Sequence, residues 1–201
     1  MPSHQHLSFF ELVDLSVTDP LALAELEARY RADVAVLVVH FTGTAIFRAC
    51  PSIIEMLALN RSAAHGLHPI IAAHHGHFIK HVEDTVFACF DEPRAALFAA
   101  FDIQARMAGF NRTRSDYQLL PSIGLGFGSC YTVPQQDVLG KEAHHARVLS
   151  SDVATADQLL ATMGFRSALG SIPEGVGMHE ASNDLTKQVG FHFVEIRDYR
   201  D

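Results

Sequence analysis

Six consecutive aliphatic residues, Val34-Ala-Val-Leu-Val-Val39, constrain this chain more than any other stretch. An unbroken apolar run of this length reads as a buried strand, here ending at His40. A polar segment with one glycine, Phe41-Thr42-Gly43-Thr44, leads into a helical stretch in which Ile53, Ile54, Leu57, Ala58, Ile70, Ile71 and Ala72 recur at helical spacing. Two further strand patterns, His77 to His81 and Thr85 to Phe90, are separated only by Val82-Glu83-Asp84, a gap of hairpin length. Pro93 opens a helix that runs to about Met107, with Ala96, Leu97, Ala100, Ile103 and Gln104 on one stripe, and Gly109 closes it.

Downstream, Leu119 to Phe127 reads as a strand and Ser129 to Val133 as its hairpin partner. Gly140 to Ser151 and Asp157 to Met163 read as helices, and Gly190 to Ile196 as a last strand. The order βα(α)ββαβ with a βα-rich tail predicts an α+β sandwich of the ferredoxin-like kind, a mainly antiparallel sheet with helices on one face. No repeat or linker divides the chain. Residues 1–32 are expected to form an N-terminal extension with one helix, capped by Asp19 with Pro20 at its first position, and residues 33–201 a single domain.

The chain has 201 residues, 48% of them hydrophobic, so it holds enough apolar side chain for a full core. Its formal net charge of -8 argues against a nucleic-acid or anionic-membrane footprint. Apolar runs such as Val34 to Val39 and Ile123 to Phe127 fall far short of the roughly 20 residues that span a bilayer. The start Met-Pro-Ser-His-Gln-His shows no signal-peptide pattern. Cys50, Cys89 and Cys130, unevenly spaced and without a CxxC, read as reduced thiols of a cytoplasmic protein.

Three segments carry a resemblance to a known family. The first is Val34 to Gly43, a strand followed by His40-Phe-Thr-Gly43. The second is His75-Gly-His-Phe-Ile-Lys80-His-Val-Glu83-Asp84-Thr-Val-Phe-Ala-Cys-Phe90. The third is Ile123-Gly-Leu-Gly-Phe-Gly128 followed by Asp137-Val-Leu-Gly140-Lys-Glu-Ala-His144-His-Ala146. In order and spacing these resemble the motifs of the class III nucleotidyl cyclase catalytic domain, over roughly residues 33 to 155.

The resemblance implies a ferredoxin-like βααββαβ sandwich and a homodimer with its clefts between the chains. In that family two carboxylates of one chain hold divalent ions on the nucleotide triphosphate, while the partner reads the base and stabilises transition-state charge. Position by position, Asp84 matches the second metal carboxylate, and its neighbour Glu83 replaces a family glycine. Lys80 and Asp137 match the pair that selects adenine over guanine, and Thr42, Gly43 and Thr44 offer backbone N-H groups to phosphates. The first metal carboxylate falls on His40, the ribose asparagine on His144 and the transition-state arginine on Val148; Arg147 is one position early, about 100° around a helix. No residue matches the late phosphate-binding lysine, and Lys187 lies in a segment the motifs do not fix.

Magnesium prefers oxygen ligands, so an imidazole in place of a carboxylate weakens that site. The expectation is therefore a catalytically degenerate homodimeric domain that binds ATP or another adenine nucleotide in signalling. An altered adenylate cyclase, with manganese or another transition metal at His40 and His144, is the alternative, and a scaffold dimer with an empty cleft a third. Without the family, His40 reads equally as a hydrogen-bonded histidine, Asp84 as a turn former, and Lys80 and Asp137 as surface charges. Of the 13 histidines, His74, His75, His77 and His81 crowd one stretch. On a strand His77 and His81 share a face about 13 Å apart, which favours a solvated cluster over a structural metal site.

Overall fold

The computed structural model describes residues 4–42, 52–112 and 118–200. Its sheet has the strand order β2-β3-β1-β4-β6-β8-β7, where β1 is Arg31–Thr42, β2 His77–Val82, β3 Thr85–Phe90, β4 Leu120–Val133, β6 Leu159–Thr162, β7 Val176–Glu180 and β8 Phe193–Asp198. The short β5, Asp137–Leu139, pairs with the end of β4. Every pairing is antiparallel except β4 with β6.

The aliphatic run lies near the middle of this sheet and is covered on both sides. Ala35, Leu37, Val39 and Phe41 face the long helices Ile53–Ala73 and Pro93–Arg112, while Val34, Val36 and Val38 pack with Ala143 and Ala146 on the opposite face. The two long helices thus share one face as expected, and the shorter helix Lys141–Val148 lies on the other. Glycines make that second contact possible. A Cβ on Gly124 would run into the Ala146 carbonyl oxygen, and one on Gly126 would lie 2.5 Å from that of Glu142. The alternation Ile123-Gly-Leu-Gly-Phe-Gly128 therefore buries branched residues under the long helices and leaves a smooth groove for the short one.

Several boundaries differ from the sequence reading. Ser129 to Val133 is not a hairpin partner of the preceding strand. It continues β4, which pairs with β1 from Arg31↔Tyr131 to Thr42↔Leu120, and β5 makes the hairpin instead. Asp157 to Met163 is not a helix either. Leu159–Thr162 is wholly buried as a strand beside β4, and the helix Met163–Leu169 follows it. A four-residue apolar run does not distinguish buried strand from helix by period, and here the sheet offers the backbone partners. The last strand begins at Phe193, after a helix Asn183–Val189 that ends on Gly190 in the left-handed region. Gly109 lies within the helix it was expected to close.

The N-terminal preface holds a helix at Pro20–Tyr30, with Asp19 accepting from the Leu21 N-H, and a second at Phe9–Ser16. Ser8 and Glu11 close a capping box on the latter. Phe9, Leu12, Ala22 and Leu26 bury themselves against Val133 at the end of β4. Among the described residues no helix is long and apolar enough to cross a membrane.

Candidate functional site

The hairpin turn Val82 to Asp84 is delivered to the end of β1 by register, because His40 pairs with Thr85 and the Phe41 N-H donates to the Asp84 carbonyl at 2.9 Å. Glu83 takes φ 56, the left-handed conformation that favours glycine. The Asp84 carboxylate thereby reaches His40. Its Oδ1 accepts from the Thr85 hydroxyl at 3.0 Å and lies 3.2 Å from His40 Nδ1, which is also 3.1 Å from Thr85 Oγ1. A carboxylate only accepts, and the Thr85 proton is already committed to it, so Nδ1 of His40 is a protonated nitrogen. Nε2 is then the nitrogen on which the neutral form of the ring carries its lone pair.

A second pair forms between two hairpins. Lys80 Nζ donates to Asp137 Oδ1 at 2.7 Å, joining β2 to β5. The same oxygen accepts from the Val138 N-H at 2.8 Å, and the ammonium lies 4.8 Å from the centre of the Phe87 ring. An irregularity of β2 between Phe78 and Lys80 shifts the register just before the lysine. Both side chains are half-buried, so the pair is more than a fully solvated surface contact. A cavity of about 620 Å³ opens between Gly76 to Ile79 on one side and Thr132, Pro134 and Gln135 on the other, with Ala32, Val34, Cys89 and Asp91 completing its lining; Lys80 and Asp137 themselves do not line it. The walls of this cavity are the segments that Lys80 and Asp137 extend. The motif from His75 to Phe90 supplies one wall and Cys89, whereas the opposite wall, Ala32 and Val34 come from segments distant in sequence.

The remaining expected positions are more scattered. His144 is exposed on the helix Lys141–Val148, and Val148 at its end is half-buried. Arg147 is exposed. Thr42 ends β1, while Gly43, Thr44 and Cys50 lie outside the described residues. Among the described residues, no hydrogen bond or ion pair links His40 and Asp84 to Lys80 and Asp137, or either pair to His144. Each pair is complete within one chain.

The motifs imply divalent ions, for which the chain offers a mixed donor set. His40 and Asp84 supply one carboxylate, and its Oδ1 is already engaged, which does not fit the oxygen-rich octahedral site that magnesium demands. An imidazole nitrogen with a carboxylate behind it suits a nitrogen-tolerant ion better. Elsewhere, His74 pairs with Asp102 at 2.7 Å and His68 stacks on Phe78 at 3.8 Å. Among the described residues no three His, Cys, Asp or Glu side chains converge on a metal position. Cys89 and Cys130 are buried free thiols, and burial pushes Cys89 up to about 12.

No protein-family model matches the sequence, and no curated protein does. Solved structures match it by shape. The adenylyl cyclase CyaB from P. aeruginosa superposes with a TM-score of 0.67 at 15% identity, covering 85% of this chain and 96% of that one. The guanylate cyclase domain of RhGC from Catenaria anguillulae, in complex with GTP, gives 0.68 at 14% identity over 84% of this chain and 97% of that one. A bacterial light-regulated adenylyl cyclase gives 0.65 at 14% identity over 98% of this chain and 68% of its own. The chain therefore has the α+β fold of the class III adenylyl and guanylyl cyclase catalytic domains, as its motif order implied.

Proposed function

We propose that this chain is a cytoplasmic cyclase-homology domain, formed by residues 33–201 behind an N-terminal extension, that binds an adenine nucleotide at a homodimer interface in signalling. The observation that carries this reading is the half-buried 2.7 Å bridge between Lys80 and Asp137, whose chain segments continue into the walls of a cavity of about 620 Å³. An ammonium donor and a carboxylate acceptor complement the donor and acceptor edge of adenine, and the cavity is within the size range of small-molecule sites. The base edge enters by exchanging part of the ion pair for its own hydrogen bonds. In the dimer, Lys80 and Asp137 of one chain face His40 and Asp84 of the other.

Magnesium-dependent cyclisation is reduced in this reading. His40 brings no negative charge where the family has a carboxylate. Val148 brings no cation, and His144 in place of asparagine does not offer an amide to the ribose. A second reading is favoured by one feature, the Asp84 contact at His40 Nδ1, which makes Nε2 the nitrogen that would take an ion. In it the chain is an adenylate cyclase with an altered, manganese-tolerant site. Calorimetric titration with ATP, with and without manganese, followed by an assay for cyclic AMP, separates the two. ATP binding without turnover supports the first reading, and manganese-dependent turnover supports the second. Absence of ATP binding in both conditions contradicts both.

A further inference from the structure

A second cleft, of about 500 Å³, lies at the start of the helix Lys141–Val148. It is lined by Lys141, Glu142 and His145 from that helix, by Thr162, Met163 and Gly164 after β6, and by Glu180 and Phe191 to Phe193 around β7 and β8. None of the residues assigned to the adenine-nucleotide site takes part. One wall is aromatic, with the His145 and Phe191 rings stacked at 3.8 Å and 7° and Phe193 edge-on to Phe191 at 6.4 Å.

At its base is a carboxylate only partly used by the protein. Glu142 Oε2 accepts from the Thr162 hydroxyl at 2.5 Å and from the Phe127 N-H at 3.3 Å, which fixes the group between β4 and β6. Its Oε1 lies 3.9 Å from His145 Nδ1, beyond hydrogen-bond reach. The Glu142 side chain is only 17% exposed, so the carboxylate as a whole is largely withdrawn from bulk water. Two carboxylates, Glu142 and Glu180, stand against one ammonium, Lys141, and the cleft is net negative when its imidazoles are neutral. Burial disfavours the charged form of the His145 ring. A half-shielded carboxylate in a negative cleft that is also lined by the stacked His145 and Phe191 rings is complementary to a planar cation.

We propose that this cleft binds a small planar cation, an amidinium or a protonated nitrogen heterocycle, which pairs with Glu142 Oε1 and lies against the His145 and Phe191 rings. The site is independent of the nucleotide reading, because it rests on Glu142 and the β6 to β8 end of the sheet.

Benzamidinium is a suitable probe, titrated into the full-length, isotope-labelled chain and followed by heteronuclear NMR. The expected result is saturable shifts at Gly164, His145, Phe191 and Phe193. Benzamide, the neutral isostere, should bind at least about tenfold more weakly. Glu142→Gln should weaken benzamidinium by a similar factor; an amide oxygen can still accept from Thr162, and a melting curve confirms that the variant folds. Glu180→Gln, at an exposed position, gives a second variant that does not touch the packing, and it should weaken binding severalfold at low salt. Absence of saturable shifts at these residues, or equal binding of benzamide and benzamidinium, overturns the proposal, as does benzamidinium affinity unchanged in both folded variants.

Discussion

His40 Nδ1 lies 3.2 Å from Asp84 Oδ1, so the two residues proposed for the metal positions orient one another. The contact is set by backbone register, since His40 pairs with Thr85 and the hairpin turn can place Asp84 nowhere else. In the proposed reading this pair is what limits metal-dependent chemistry.

The triple change His40→Asp, His144→Asn and Val148→Arg should raise cyclic AMP formation from ATP in the presence of magnesium. It supplies the missing carboxylate, ribose anchor and cation while leaving Asp84, Lys80 and Asp137 in place. A rise of at least about tenfold over wild type is expected, because a single transition-state cation is worth more than that in related phosphoryl-transfer sites. A folded triple variant that binds ATP and magnesium yet stays inert would mean that the helix after Gly140 does not present these positions to the nucleotide.

Glu83→Gly should stabilise the fold by about 0.5–1 kcal/mol. At φ 56 glutamate occupies a conformation that costs an L side chain more than it costs glycine, and the turn needs no Cβ there. Urea unfolding of the two proteins under identical conditions gives the difference. An unchanged or lower midpoint for the glycine variant would show that Glu83 contributes an interaction larger than its backbone strain.

Gly124→Ala should destabilise by about 1–3 kcal/mol. The added methyl would collide with the Ala146 carbonyl, which is backbone of a packed helix and not a movable side-chain end. The same substitution at Gly170, where a Cβ meets nothing within 4 Å, measures only the cost of its positive φ. Chemical denaturation of both variants should find Gly124→Ala the more damaging.

Stability should fall as the pH is lowered through about 6.5. His68, His81 and His145 are each held below their ordinary value of 6.5, with burial the main cause, and His81 Nε2 is buried without a partner. A depressed folded value means that the unfolded chain binds protons the folded chain refuses. Their contribution is thus present above about pH 6.5 and lost below it. Denaturation midpoints between pH 8 and 5.5 test this, and His81→Phe should flatten the dependence. A midpoint that rises on acidification would contradict the sign.

Much of the fold was legible because its signals are local. The aliphatic run of β1, the short gap between β2 and β3, and the apolar stripe after Pro93 each determine an element by period and punctuation. What escaped depends on partners distant in sequence. Leu159 to Thr162 becomes a strand only because Ile123 to Leu125 lies alongside, and Ser129 to Val133 stays extended because β1 is long enough to pair with it. The capping box of Ser8 and Glu11 is a local signal as well, and it starts a second helix in a segment expected to hold one. At the candidate site the residue types were visible, and the two pairs they form were not. That His40 meets Asp84 and Lys80 meets Asp137 follows from strand register and hairpin placement.

The central claim is that Lys80 and Asp137 read an adenine edge. Calorimetric titration of the wild-type chain with ATP and with GTP, repeated on Lys80→Ala, tests it most directly. The account predicts that ATP binds at least about tenfold more tightly than GTP, as expected when a base presents mismatched donors and acceptors to a paired site, and that Lys80→Ala removes the difference. Equal or reversed affinity in the wild type, or an ATP preference that survives Lys80→Ala, would contradict it.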